Sequence, residues 1–348
     1  MIKIKKILKI GLLFSLFILT SGCFDYSELN NMDIIVGMGI NKIDDKYEVT
    51  YEVINTSIDK NNTEAKKSFT VTNADTSLTK AINNTTSKLN KKAYFEHMKV
   101  VLIEPTINIL ELSDYFSRSN DISSNFFLVL TDNPKEVLEY TTEDKKINSE
   151  EVYSILTNIN YTSLNAHFDF QINDILNKKR DITIPYVSLE EKLIFKSYGL
   201  YRKEKFITYL SKDKLSMYNF YLKSQDIYLE EEGTSIRIYK SKANIKVKEK
   251  AIITLELKAN IEKLGKDISL RTDDNFKELE KIFTDKLTKD MQDFITYLQE
   301  IDCDILGFNN LNFIKKKIYL DDYFSKTQVD ININLKINRP GLTVRKVS

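Results

Sequence analysis

The sequence predicts an α+β protein of more than one domain, with mixed or antiparallel sheets each packed by helices and a long helix in the C-terminal part. Three observations carry that prediction. Residues 253–261 alternate without a fault: Ile253, Leu255, Leu257, Ala259 and Ile261 on one face, Thr254, Glu256, Lys258 and Asn260 on the other. That is the two-residue period of a half-wet strand. Val329, Ile331, Ile333, Leu335 and Ile337 repeat it, and an antiparallel pair is the simplest arrangement for two such strands. Between them, residues 275–300 place Phe276, Leu279, Ile282, Phe283, Leu287, Met291, Phe294 and Leu298 on one helical stripe, with Asn275 and Glu278 at capping-box spacing.

The remaining elements follow in chain order. Residues 34–40 form a short apolar run with two glycines, the mark of a buried strand. Residues 47–54 set Tyr47, Val49, Tyr51 and Val53 against Glu48, Thr50 and Glu52, which places Glu52 on a polar face. Asp44-Asp45 supplies a hairpin turn between the two. A polar stretch, 59–68, precedes a helix over 77–89, where Leu78, Ala81, Ile82, Thr85 and Leu89 share a face. "MKVVLI" (98–103) and "NFFLVL" (125–130) read as buried strands around a helix at 107–117. This β-α-β-α-β order predicts a mixed sheet with helices packed on it. Asn133-Pro134 opens a short helix at 135–140. Residues 141–179 carry helical spacing, with breaks at 160–165 and 177–181. Residues 181–189 are extended, through their Thr and Ile content and the restriction before Pro185. The main boundary is placed near residue 190, giving domains 23–190 and 191–348, the first with room for a division near 141. Beyond it, 193–210 reads as two strands around Lys203-Glu204-Lys205, 213–222 as a short helix and 236–247 as two more strands.

The first residues have a different character. Lys3, Lys5, Lys6 and Lys9 come with no acid, and residues 10–19 carry no charge. Ten residues of helix span about 15 Å, half of the ~30 Å hydrocarbon core, so the run is too short for a stable membrane span and suits the apolar part of a signal peptide, 1–22. Thr20-Ser21-Gly22-Cys23 resembles the lipobox of bacterial lipoproteins, with Thr20 where leucine is usual and Leu19 one place further back. In that class of signal the Cys23 thiol is alkylated by a diacylglycerol and the chain is cut just before it. Two acyl chains meet the requirement for stable attachment, since each buried CH₂ contributes ~0.8 kcal/mol. The bland alternative is a buried N-terminal helix with a buried cysteine. The expectation is a lipidated Cys23 tethering an ectodomain to the outer face of a membrane.

Composition narrows the function. The 51 basic and 50 acidic residues balance, which speaks against a nucleic-acid partner. No later apolar run is long enough for a second span. With Cys23 lipidated, Cys303 has no disulfide partner. The two histidines, His97 and His167, fall in different segments without a second ligand at metal spacing, and His97 is expected to be partly buried between a helix and a strand. "DCDILG" (302–307) starts like a calcium loop but has Leu306 and Phe313 where ligands are required. The acid runs Glu230-Glu231-Glu232 and Asp321-Asp322 read as solvated turns. The motifs of serine hydrolases, P-loops and zinc proteases are missing. The reading is therefore of a non-enzyme, with no catalytic residues, metal or cofactor.

Several stretches, in order, resemble the Ger(x)C family, the lipoprotein C subunits of spore germinant receptors. They are "CFDYSELNNMDIIVGMGINK", "LTKAINNTTSKLNKKAYFEHMKVVLI", "ITIPYVSL", "SYGLYRKEKFITYLSKDKLSMYNFYL" and "DCDILGFNNL". Phe24 stands where the family has Trp, and Asn309 where it has the second glycine of a Gly-Phe-Gly element. The resemblance implies a three-domain α+β fold and a non-enzymatic subunit on the outer face of the spore inner membrane. It also implies integral membrane A and B subunits as partners and a part in responding to nutrient germinants. The competing expectation is a substrate-binding lipoprotein of a transporter, which would need two α/β lobes around a cleft.

Overall fold

The computed structural model describes residues 31–338 except 57–66, 141–145, 159–165, 178, 223–225, 248–249, 266–269, 271, 319 and 321. Strands β1 (Met32–Ile43) and β2 (Lys46–Ile54) pair antiparallel across the expected turn, where Asp44 takes a φ of 54°. β2 continues antiparallel into β3 (Ser68–Asp75). The sequence reading lacks β3 because its residues are nearly all half-buried at a sheet edge, so the hydrophobic alternation is weak. On its other side β1 pairs parallel with β4 (Lys92–Tyr94) at its start and with β5 (Val100–Ile103) further on. β5 pairs parallel with β6 (Phe127–Leu130), and β6 meets β7 (Ile182–Leu189) parallel through Leu130 and Tyr186. β8 (Leu193–Arg202) and β9 (Lys205–Tyr209) extend the sheet antiparallel. The result is one mixed nine-stranded sheet in the order β3-β2-β1-β5-β6-β7-β8-β9, with β4 beside β1.

Among the described residues five helices cover this sheet: α1 (Leu78–Thr86), α2 (Ile109–Arg118), α3 (Pro134–Glu139), α4 (Asn148–Asn158) and α5 (Phe168–Leu176). Val101 and Ile103 of β5 join a core with Leu78, Ile82, Leu112, Phe116 and Phe168. Their neighbours Val100 and Leu102 join the opposite core with Val137, Leu138, Val152 and Leu156. Burial on both faces explains why these strands are continuous apolar runs, not alternating ones.

Residue 190, where the sequence reading sets its boundary, lies in the β7–β8 turn, and the Glu190 N–H donates to the Lys192 carbonyl at 3.1 Å. The sheet crosses that point unbroken.

After α6 (Lys212–Tyr221) comes a second sheet, in the order β10 (Ile227–Glu231), β11 (Thr234–Val247), β12 (Ala251–Lys263), β13 (Val329–Ile337). Two expectations are corrected here. Residues 236–247 belong to one strand, bulged between Ile238 and Lys240, instead of two. β12 and β13 pair parallel, from Ala251 with Val329 to Ala259 with Ile337. The chain between them folds as α7 (Asp273–Glu300), α8 (Phe308–Lys316) and α9 (Tyr323–Lys326), the kind of long crossover that parallel strands require. Amphipathic alternation reports which face is wet and says nothing of strand direction.

α7 starts before Asn275. Thr272 is its N-cap, its hydroxyl accepting the Asn275 N–H at 3.3 Å while Asn275 Oδ1 accepts the Thr272 N–H at 3.2 Å. Threonine followed by Asp273 and Asp274 suits a helix start, where carboxylates meet the positive end of the dipole. Leu279, Phe283, Leu287, Met291, Phe294, Ile295 and Leu298 are buried, whereas Phe276 and Ile282 are half-buried. Each fully buried side chain of this kind contributes about 1.5–3 kcal/mol. Tyr198 and Leu200 of β8 enter the same core, so the two sheets share packing.

Candidate functional site

The residues singled out from sequence lie apart from one another where the structure describes them. Cys23 lies outside the described residues. Among the described residues no group of three or more His, Cys, Asp or Glu could hold a metal ion. His97 is exposed in the turn after β4, its ring edge-on to Tyr94 at 5.4 Å, and not half-buried as expected. Buried Phe95 and Met98 take the inward positions of that turn and leave His97 outside. His167 is half-buried just before α5, edge-on to Phe127 at 4.6 Å; burial lowers its pKa and Asp169 partly offsets that. Glu231 pairs with Lys286 at 3.1 Å, and Glu232 forms the β10–β11 turn with Gly233. Asp322 pairs with Lys326, and Asp321 lies outside the described residues.

The "DCDILG" element has an architectural use. Asp304 is buried and its carboxylate accepts three backbone N–H groups at the start of α8: Gly307 at 2.8 Å, Phe308 at 2.9 Å and Asn309 at 2.7 Å. Gly307 takes a φ of 82°, and a Cβ there would sit 3.1 Å from the Lys179 carbonyl. The Asp304 N–H donates to Asp181 Oδ2 at 2.7 Å, and the Asp181 N–H returns to the Asp304 carbonyl at 3.0 Å. The start of α8 is thereby fastened to the start of β7. Burial pushes the Asp304 carboxyl up to about 7, against the three N–H donors that favour its ionised form. Asp181 is raised by burial as well. Asn309, the departure from the family's glycine, accepts the Phe324 N–H at 2.9 Å and ties α8 to α9. Cys303 is fully buried, and its thiol is pushed far up by burial and the nearby Asp181 and Asp304, so it is a protonated and unreactive core residue.

A second buried carboxylate escaped the sequence reading. Glu52 is fully buried because helices cover both faces of β2. It accepts from the Asn148 N–H at 2.9 Å, the Ser149 N–H at 2.8 Å, the Ser149 hydroxyl at 2.5 Å and the Ser68 hydroxyl at 2.8 Å. The anion sits at the N-terminus of α4, where the unpaired N–H groups and the dipole both favour it. Burial raises its pKa and these four donors lower it. Gly37 pairs across from Glu52, and a Cβ on Gly37 would come within 1.8 Å of Ser149 Oγ and 2.8 Å of Ser149 Cβ. The glycine of "IIVGMGI" therefore makes room for α4, and Glu52 holds it there. The nearby sequence signal was Asn148-Ser149, two donors opening a helix, rather than anything within β2.

What remains open for contact is a surface. A groove of about 910 Å³ runs beside β13 and α7. Lys240, Lys258 and Lys336 face one another across three adjacent strands and line it, with Lys277 and Lys281 from α7. Lys242 at 3.9 Å from Glu256, and Glu280, which accepts the Ile337 N–H at 2.9 Å, complete its charged wall. Lys240, Lys258 and Lys336 have no ion-pair partner among the described residues. Like charges placed directly opposite on a sheet repel, so an anion on this face would relieve the repulsion among the three lysines. Among the described residues no helix is long and apolar enough to cross a membrane.

Residues 25–189 match the family described as spore germination protein N-terminal domain, and residues 196–341 match spore germination B3/GerAC-like, C-terminal. A solved structure titled "Crystal Structure of the GerBC protein" has the same fold, with a TM-score of 0.51 and 17% sequence identity, over 87% of this chain and 97% of that one. No curated protein matches the chain.

Proposed function

This chain belongs to the Ger(x)C family of spore germination proteins, and from that premise we propose that it is the lipid-anchored, non-enzymatic C subunit of a nutrient-germinant receptor. It sits on the outer face of the spore inner membrane beside integral membrane A and B subunits, and acts in receptor assembly and germination signalling. The observation that carries this reading is the match of both family segments, in order, over residues 25–189 and 196–341. Cys23 is the anchor, its two acyl chains confining the ectodomain near its partners and raising their effective concentration. The buried carboxylates at Glu52, Asp181 and Asp304 are taken up by backbone and hydroxyl donors, which fits a scaffold better than an enzyme. The transporter-lipoprotein alternative needs two lobes of parallel sheet around a cleft, whereas the nine-stranded sheet and the four-stranded sheet share a packed core.

The test is affinity purification of the tagged chain from spore membranes, wild type beside Cys23→Ala, with intact-mass analysis and partner identification. A diacylglyceryl mass on the wild type alone, with two integral membrane subunits co-purifying, is the expected result. A wild type without lipid, or one that brings down a transporter ATPase and permease, overturns the reading.

A further inference from the structure

The last turn of α8 and the loop behind it expose four large apolar side chains to solvent. Phe308 and Asn312, on the inner side of α8, are buried, and Phe308 stacks on Phe324 at 5.0 Å. Beyond them Phe313, Ile314, Ile318 and Leu320 are 40%, 55%, 61% and 42% exposed. Among the described residues twelve large hydrophobic side chains are 38% or more exposed. Eight are spread along the chain, as on any soluble protein, but these four fall within one stretch of eight residues. Lys315, Lys316 and Lys317 lie between them and are all exposed. Lys316 rests over the Tyr323 ring at 5.6 Å, and Lys317 ends the helix in the left-handed region with a φ of 59°. None of the three lysines has an ion-pair partner among the described residues.

Apolar side chains and unneutralised cations in one short amphipathic segment are the two features that hold a peripheral element at an anionic bilayer surface. An acidic protein groove would match the lysines and leave the four apolar groups without a counterpart. A membrane is also within reach under the proposed function: the chain between Cys23 and Met32 can span no more than about 30 Å. We propose that residues 313–318 and Leu320 are a second membrane contact. Phe313, Ile314, Ile318 and Leu320 enter the boundary between headgroups and acyl chains, and Lys315, Lys316 and Lys317 meet the phosphates of anionic phospholipids. With the anchor at Cys23 this contact sets the orientation of the ectodomain, since one tether leaves rotation free and two contacts do not. The inference takes its membrane setting from the proposed function, but the patch does not require a lipid on Cys23 to bind.

The experiment uses the full chain produced in a host that processes bacterial lipoproteins. It is reconstituted on vesicles of phosphatidylcholine, with or without phosphatidylglycerol, and its anchor state is read by intact mass. With Cys303 buried, an environment-sensitive fluorophore can be placed at Ile318→Cys, with Asn83→Cys on α1 as the control position. The expected result is a blue shift and quenching by brominated lipid at position 318 only, and only on vesicles containing phosphatidylglycerol. Lys315→Glu/Lys316→Glu/Lys317→Glu in the same labelled chain should reduce the quenched fraction at least about tenfold, with circular dichroism and thermal midpoint unchanged. A chain that carries its lipid but keeps position 318 in a water-like environment overturns the patch and leaves the anchor intact. Equal quenching on neutral vesicles overturns the anionic-surface assignment. A shift at 318 that needs added partner subunits makes the patch a protein interface and overturns it too. Quenching at 318 on a chain without lipid upholds the patch and overturns Cys23 as the anchor.

Discussion

The two sheets solve the same problem in opposite ways. The first is covered by helices on both faces and keeps its polar groups inside, with Glu52 caged by Asn148, Ser149 and Ser68. The second packs one face on α7 and presents the other to water, with Lys240, Lys258 and Lys336 in a row and without an ion-pair partner among the described residues. Glu52 in the first sheet is committed to holding the chain together. Substitutions in the first should therefore register as stability, and substitutions in the second as contact.

The largest effect is expected at Glu52. Glu52→Ala strands four donors in the core and should destabilise by about 3 kcal/mol or more, read from the midpoint of urea unfolding. An unshifted midpoint would show that the cage holds nothing. Next is Gly37→Ala, where the added Cβ meets Ser149 and forces α4 outward; about 1–3 kcal/mol should be lost. Pairing it with Glu52→Ala should give less than the sum of the two losses, because both act on the seating of α4.

Between the sheets lies Asp304, which sharpens the comparison through pH. Its carboxyl keeps a proton to about pH 7 in the folded chain and to about 3.8 when unfolded. The folded state holds the extra proton between those values, so the stability that Asp304 contributes is fully present below about pH 4 and is lost as pH rises through about 7. Glu52 and Asp181, also raised, act in the same sense, and His167, lowered, acts against them near pH 6.5. Thermal midpoints should be higher at pH 5 than at pH 8, and Asp304→Asn should flatten the difference. A steeper profile in that variant would contradict the assignment.

The smallest stability effect belongs to the second sheet. Lys258→Glu sits between two lysines and should stabilise by roughly a few tenths of a kcal/mol, while weakening recovery of the partner subunits in the purification described above. A clear loss of stability would mean that this face is not free.

Legibility in the sequence follows the same division. The fault-free alternation of β12 and β13 and the stripe of α7 are readable because one side of each faces water. The apolar strands β5 and β6 are readable as runs because neither side does. Glu52 was not, since an acidic residue in an alternating strand looks wet until the helices on both faces are in place. The parallel direction of β13 was equally hidden, because the period of two is the same in either direction. β3 was lost to its half-buried edge. Asp304 stood in a motif that could be quoted, but its use as the cap of α8 and the partner of Asp181 depends on residues more than a hundred positions apart.

The parallel crossover also dictates an order of events during synthesis. β12 leaves the ribosome with one edge open, and that edge is closed by β13 only after α7, α8 and α9 have been made. Until then the chain must travel with an unpaired strand and the partly uncovered apolar stripe of α7, which is an invitation to aggregate. A product cut short anywhere before Val329 would be stranded in that condition permanently. Only a chain read through to β13 can shut its second sheet.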